Sequence, residues 1–183
     1  VMAQLGPKGQ GYVRNLLNSR NPQHRLVAYR ALRFAQPAGL IPMANKMAGD
    51  KDPSVRREVA LSLRDVPYAK AKRALAQVID GYDGKNRWYL EAIGAASVGN
   101  EDRVYDELVR PSHAKTSPAE WGDRAKNMAW RLHTPQAIED LHATIKTQKP
   151  TIEDFRRWVM GYAGYRNKTE RTGPYTHLTL PTK

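Results

Sequence analysis

The chain has 183 residues, 40% of them hydrophobic and 26% charged, with a formal net charge of +12. That is enough apolar material for a packed core, which excludes an intrinsically disordered chain, and the length suits one domain or one segment of an array. There is no Cys, which excludes disulfides, thiolate metal sites, cysteine nucleophiles and covalent haem attachment within the segment.

The basic balance favours an anionic partner: nucleic acid, anionic lipid or an acidic protein surface. Yet the Lys and Arg are spread along the chain, and the densest cluster, Lys70–Arg73, is short. A solvated basic surface is therefore an equal reading. No apolar run approaches the roughly 18–20 residues of a membrane span. The chain opens on Val1 and not Met, which reads as a cut end, so the lack of a visible signal peptide does not bear on location.

Residues 8–18 carry Tyr12, Val13, Leu16 and Leu17 at helical spacing. Asn21-Pro22 then gives a cap followed by Pro at the first helical position, and a helix over 22–35 is expected to bury Leu26, Ala28, Tyr29, Ala31 and Leu32. Pro37 and Gly39 end it, and a short helix follows over 39–48. Asp52-Pro53 repeats the start for a helix over 53–64, with Val55, Val59, Leu61 (or Ala60) and Leu63 inward. Pro67 marks a turn into a helix over 68–80. Asp83-Gly84 opens the next helix, about 86–97, with Trp88, Tyr89, Leu90, Ala92 and Ile93, and a short helix over 101–110 follows. Residues 111–118, rich in Pro and Ser, read as a loop. Helices over 119–132, 135–147 and 152–165 complete the pattern, the last behind Thr151 and Asp154 as a capping pair and burying Ile152, Phe155, Trp158, Val159 and Tyr162. Alternation typical of a strand occurs in the tail alone, Tyr175–Leu180.

Three of these starts align at a spacing of 31 residues: Asn21-Pro22 with Arg25, Asp52-Pro53 with Arg56, and Asp83-Gly84 with Arg87. A fixed period in this range marks a solenoid, whose repeats bury their apolar faces against one another. Each Arg, one turn into its helix, is expected near the capping residue of its own or the next repeat. Asn21, Arg25, Asp52, Arg56, Asp83 and Arg87 would then form a charge-assisted ladder. After residue 111 the ladder has no clear continuation, Arg124 being the best candidate.

The D-P-x-V-R start of residues 52–56, with its echoes at 21–25 and 83–87, resembles HEAT-like repeats of the short kind, over about residues 8–165. Tetratricopeptide and ankyrin patterns fit worse, since neither W-x-x-L-G-x-x-Y nor T-P-L-H occurs. The resemblance implies an all-α protein, an α-solenoid of antiparallel helix pairs over 1–172 that acts as a fragment of a larger chain. It implies a scaffold or spacer for protein domains in cis or in trans, not an enzyme. A narrower resemblance rests on Gly81–Ala92 and on Trp121 with Trp130-Arg131-Leu132-His133. These are similar to the HEAT segment of large exported membrane-bound dehydrogenase-type proteins of planctomycete and verrucomicrobial kind, in which a glucose/sorbosone dehydrogenase-like propeller precedes HEAT repeats and a c-type cytochrome. That likeness implies a periplasmic or otherwise exported home, with a cytoplasmic one still open. Haem c would belong to a missing domain, with no cofactor or metal in this segment. Residues 173–183 look like translated sequencing-adapter read-through, with a short strand or linker as the alternative.

The candidate contact surface is the helix-start edge carrying Arg56, Arg87, Trp88 and Tyr89. The alternative function is nucleic-acid binding on a basic concave face. Trp88, Trp121, Trp130 and Trp158 with Asp123 resemble the aromatic and carboxylate set of HEAT-like alkylpurine DNA glycosylases, although no motif of that family matches residue by residue. Trp at helical positions is more often packing. His24, His113, His133, His142 and His177 show no i, i+4 ligand spacing, and the pairs Glu101-Asp102 and Glu153-Asp154 sit at helix starts, where the dipole favours them as caps.

Overall fold

Every regular element described in the computed structural model, which covers residues 6–113, 115–117, 120–147, 151, 152 and 156, is helical. The chain divides into two compact units, Val1–Asn100 and Glu101–Lys183.

In the first unit, α1 (Gly6–Leu16) precedes α2 (Pro22–Ala35), a 3-10 turn at Pro37–Gly39, α3 (Leu40–Met47), α4 (Pro53–Ser62), α5 (Tyr68–Asp80) and α6 (Arg87–Ala96). The starts follow local chemistry. Asn21 and Asp52 are extended, and their side chains accept the N–H of Gln23 and Ser54. A Pro at the first helical position then costs no hydrogen bond. Helices α2, α4 and α6 pack side by side in one layer, while α3 lies beside α5 in a second and α1 packs on α2. The core between the layers holds Tyr29, Val55, Val59, Leu63, Leu75, Val78 and Ile93, all at 0% exposure. Burying each such aliphatic side chain contributes roughly 1.5–3 kcal/mol before the entropy of ordering it. Of the two candidates in α4, Ala60 faces in and Leu61 is exposed. Tyr29 reaches from α2 to Ser62 of α4 at 2.6 Å, and burial pushes its hydroxyl up to about 12, so it stays protonated. The unit is an all-α solenoid of antiparallel helix pairs.

The second unit contains α7 (Glu101–Val104), a π-helical turn at Tyr105–Val109, a 3-10 turn at Arg110–His113, α8 (Asp123–Leu132) and α9 (Pro135–Thr147). Its polar centre is Asp140, 5% exposed. Tyr105 Oη and Arg110 Nε donate to Asp140 Oδ2 at 2.8 and 3.3 Å, and Gln136 Nε2 donates to Oδ1 at 3.2 Å. Burial first, then the Asp140 carboxylate, push the Tyr105 hydroxyl far above its ordinary range. It therefore remains a neutral donor that links the π-turn to α9.

Sequence spacing predicts one α-helix over 101–110, where the chain instead widens into the π-turn and then tightens into the 3-10 turn. That 3-10 turn also takes the start of the expected loop. The helix predicted from 119 begins at Asp123, because Gly122 is extended and the Trp121 indole donates to Thr116 O at 3.2 Å, holding Trp121 in the preceding loop. The helix over 152–165, the partner Asp154 of Thr151 and the tail lie outside the described residues, apart from Thr151, Ile152 and Arg156. Ile152, expected to be buried, is exposed.

Candidate functional site

Arg25 and Arg56 occupy the same place in successive repeats, and their hydrogen bonds repeat almost atom for atom. Arg25 Nη1 donates to Ser19 O and Arg20 O at 2.8 and 3.2 Å. Arg56 Nη1 donates to Asp50 O and Lys51 O at 2.6 and 3.0 Å. The other edge of each guanidinium reaches 25 residues ahead, into the loop before the next repeat. Arg25 forms a two-pronged pair with Asp50, Nε to Oδ2 at 2.7 Å and Nη2 to Oδ1 at 2.6 Å. Arg56 Nη2 meets Gly81 O at 2.8 Å. Its Nε meets Tyr89 Oη at 3.0 Å, and the guanidinium carbon lies 5.4 Å from the Tyr89 ring centre. Each Arg thus ties its own entry loop to the next one.

The partners are not the capping side chains. Arg25 pairs with Asp50, two residues before the cap Asp52, and Asp50 Oδ1 also accepts the Asp52 N–H at 2.9 Å. The Asp50 carboxyl is held below its ordinary range. Burial alone would raise it, but the Arg25 hydrogen bond, the Asp52 N–H and the charges of Arg25 and Arg56 outweigh burial.

The third start differs. Asp83 accepts from the N–H groups of Lys85 and Asn86 at 2.9 and 3.1 Å, in a turn that needs Gly84 at φ 82. Asn86 is the cap, its side chain accepting the Tyr89 N–H at 3.0 Å, so the helix begins three residues later than the 31-residue spacing demands. Backbone bonding gives the true equivalents: Arg25 N to Asn21 O, Arg56 N to Asp52 O, Leu90 N to Asn86 O. Leu90 stands where the clamp Arg would be, and Arg87 is displaced to the first helical position. Its side chain is 80% exposed and pairs with Glu91 at 3.9 Å.

The four residues of the expected contact edge are therefore split by the fold. Tyr89 is buried, stacked on Tyr82 with ring centres 5.7 Å apart, and its hydroxyl donates to Val78 O at 2.8 Å. Arg56 is half-buried against it. Arg87 and Trp88 point outward, Trp88 at 70% exposure. In the second unit Trp121 is buried beside His113, with ring centres 5.5 Å apart, and Trp130 lies 5.5 Å from the His133 ring. Burial and then the Arg124 charge lower the His113 pKa. Arg124 sits two residues past the cap Gly122, whereas the clamp position of α8 is taken by Lys126. Asp123 is exposed in the first turn of α8, and Trp158 lies outside the described residues. Among the described residues no group of three His, Cys, Asp or Glu side chains could hold a metal ion, and no helix is long and apolar enough to cross a membrane.

A different surface emerges from where the cations go. Residues 1–49 contain no Asp or Glu. In that stretch Arg25 is engaged by Asp50, while Arg30 and Arg33 reach Glu58 of α4 at 2.7 and 3.3 Å. Asp50 and Glu58 thus engage Arg25, Arg30 and Arg33 of α2. In the other layer α1 and α3 carry Lys8, Arg14 and Lys46 outward and no acid, and α5 adds exposed Lys70 and Arg73. A groove of about 320 Å³ opens between α1 and α3, lined by Arg14, Leu17, Leu32, Gln36, Met43 and Lys46 among others. Residues 14 and 46 are too far apart in sequence to suggest a site, but the acid-free run 1–49 is a legible signal for it.

Two substitutions test the clamps. Asp50→Asn should cost about 2–3 kcal/mol at neutral pH in chemical denaturation, somewhat below a fully enclosed pair, since the side chains are 14% and 7% exposed. With the folded pKa lowered, this stabilisation is present above the ordinary carboxylate value and is lost as pH falls through the lowered one. The gap between variant and parent should therefore shrink in acid; a gap independent of pH would contradict the pairing. Gly81 is the second test, because a Cβ there would collide with Nε and Cδ of Arg56, which four hydrogen bonds hold in place. Gly81→Ala should lower stability by roughly 1–3 kcal/mol, and an unchanged midpoint would show that Arg56 is free to move.

The comparisons agree with this architecture. Residues 12–96, from within α1 to the last residue of α6, match the family of HEAT repeats. No curated protein and no solved structure matches the chain. Residues 12–96 are thus similar to HEAT repeats, and the matched stretch lies within the first compact unit.

Proposed function

We propose that this chain is a non-catalytic HEAT-repeat scaffold that docks an acidic protein partner on the layer of α1, α3 and α5. HEAT repeats suggest a protein-interaction role. The observation that carries the reading is the sorting of charge: Arg25, Arg30 and Arg33 of α2 are engaged by Asp50 and Glu58, whereas Arg14 and Lys46 stand on helices that hold no acid. Exposed charge of one sign selects and steers partners of the other.

The finer part of the proposal is that the scaffold is a rigid spacer within a larger exported redox protein, holding a propeller-type dehydrogenase domain and a haem c domain at a set geometry. Its support is the likeness of Gly81–Ala92 and of Trp121 with Trp130–His133 to the HEAT segment of such proteins. Haem, substrate chemistry and export all belong to the parent in this reading. Sequencing the source gene through both ends of the segment decides it. An upstream propeller and a downstream C-x-x-C-H are expected; flanking sequence with neither would end the redox reading.

The same exposed cations favour one other occupant, nucleic acid. A labelled poly-glutamate peptide should bind saturably at physiological salt, and labelled duplex DNA should not. Saturable DNA binding that falls steeply as salt rises, with no binding of the peptide, would contradict the acidic-protein reading, because phosphate neutralisation releases counterions.

A further inference from the structure

We infer that the groove between α1 and α3 is a docking site for an acidic peptide that carries an apolar anchor residue. The inference rests on the reading of this layer as a surface for acidic protein partners, and it names the place and the recognition chemistry.

The groove combines an apolar floor with bordering cations. Its apolar lining comes from three elements: Leu17 just after α1, Leu32 near the end of α2, and Met43 on α3. Leu17 and Leu32 are 5% and 2% exposed, so they form a fixed floor, while Met43 is half-buried. A thioether side chain of this kind adapts to different apolar guests. The volume of about 320 Å³ lies at the small end of ligand-sized clefts, room for an apolar side chain or two and not for a folded domain.

Two cations border this floor. Arg14 Nη2 donates to Gln36 Oε1 at 2.9 Å, and Lys46 Nζ donates to Asn18 Oδ1 at 2.9 Å. Both partners are neutral amides. Gln36 is itself held by Gln10, which keeps its amide oxygen on Arg14. An amide positions a cation but does not neutralise it, and a carboxylate makes the stronger, charge-assisted bond. None of the described residues lining the groove is an acid, and no acid occurs in the sequence before Asp50, which is engaged by Arg25. The incoming partner must supply the carboxylate.

The lining also discriminates between partners. Single-stranded nucleic acid is gripped by stacking bases on aromatic rings, and among the described residues no aromatic side chain lines the groove. An aliphatic floor between cations instead fits Leu, Ile or Met flanked by Asp or Glu.

Fluorescence anisotropy of the whole chain with two labelled peptides, one of glutamate and leucine and one of glutamate alone, tests the site. The glutamate–leucine peptide should bind at least about tenfold more tightly than the all-glutamate peptide. The double variant R14E/K46E should weaken the leucine-containing peptide by about tenfold or more, while K70E/R73E on α5 should leave it within about twofold. All four side chains are exposed, so folding should be retained, and thermal unfolding checks this. The milder variant Met43→Ser, with the charges intact, should lower affinity for the leucine-containing peptide but not for the all-glutamate one.

Equal affinity for both peptides would overturn the groove assignment while leaving an acidic-partner surface standing. So would loss of binding in K70E/R73E but not in R14E/K46E. Binding of neither peptide would overturn the groove and the acidic-partner reading together. Displacement of the peptide by single-stranded DNA at lower concentration than by unlabelled peptide would also overturn it, in favour of nucleic acid.

Discussion

A guanidinium one turn inside a helix sets the register of the repeats. Arg25 and Arg56 each bond back to the two carbonyls that lead into their own helix and forward to the loop before the next one. Carbonyls in such loops cannot be satisfied by helix or sheet, and a planar group with five donors satisfies several at once. Apolar packing between helices permits sliding by small amounts. The fixed geometry of these bonds does not, so the stacking of α2, α4 and α6 inherits its spacing from them.

The clamps also determine which charges remain for partners. Asp50 and Glu58 are drawn into the first layer to hold Arg25, Arg30 and Arg33. With the nearest acids engaged there, Arg14 and Lys46 of the second layer hydrogen-bond to neutral amides. A basic protein built this way need not have a dense Lys/Arg cluster in its sequence. Folding sorts a dispersed charge into a set paired with acids and an outward set, which is the physical basis for the proposal that partners dock on α1, α3 and α5.

Helix starts marked by a cap and a Pro were legible in the sequence: 22, 53 and 135 are the first residues of α2, α4 and α9. There, the cap geometry and the fixed φ of Pro specify the start with no help from distant residues. The HEAT-like periodicity of the first unit was legible for the same reason. The third repeat was not placed correctly, because Asp83-Gly84 satisfies two turn N–H groups and passes the capping role to Asn86. Aligning Arg87 with Arg25 and Arg56 followed residue identity, whereas the backbone aligns Leu90. The inward turn of Tyr89 and the outward turn of Trp88 follow from that shift of register. The π-turn at Tyr105–Val109 has no local marker, since its Tyr105 is tied to Asp140, 35 residues away. The groove was missed because it joins side chains of three helices, although the lack of any acid over residues 1–49 pointed to that end of the chain.

The central claim, that the Arg25–Asp50 pair couples one repeat to the next, is most directly tested by a double-mutant cycle. Arg25→Met, Asp50→Asn and their combination would be compared by chemical denaturation at neutral pH. The account predicts a coupling energy of about 1–3 kcal/mol, lost in high acid. Additive effects, with a coupling near zero at neutral pH, would contradict it and leave apolar packing alone to set the repeat register.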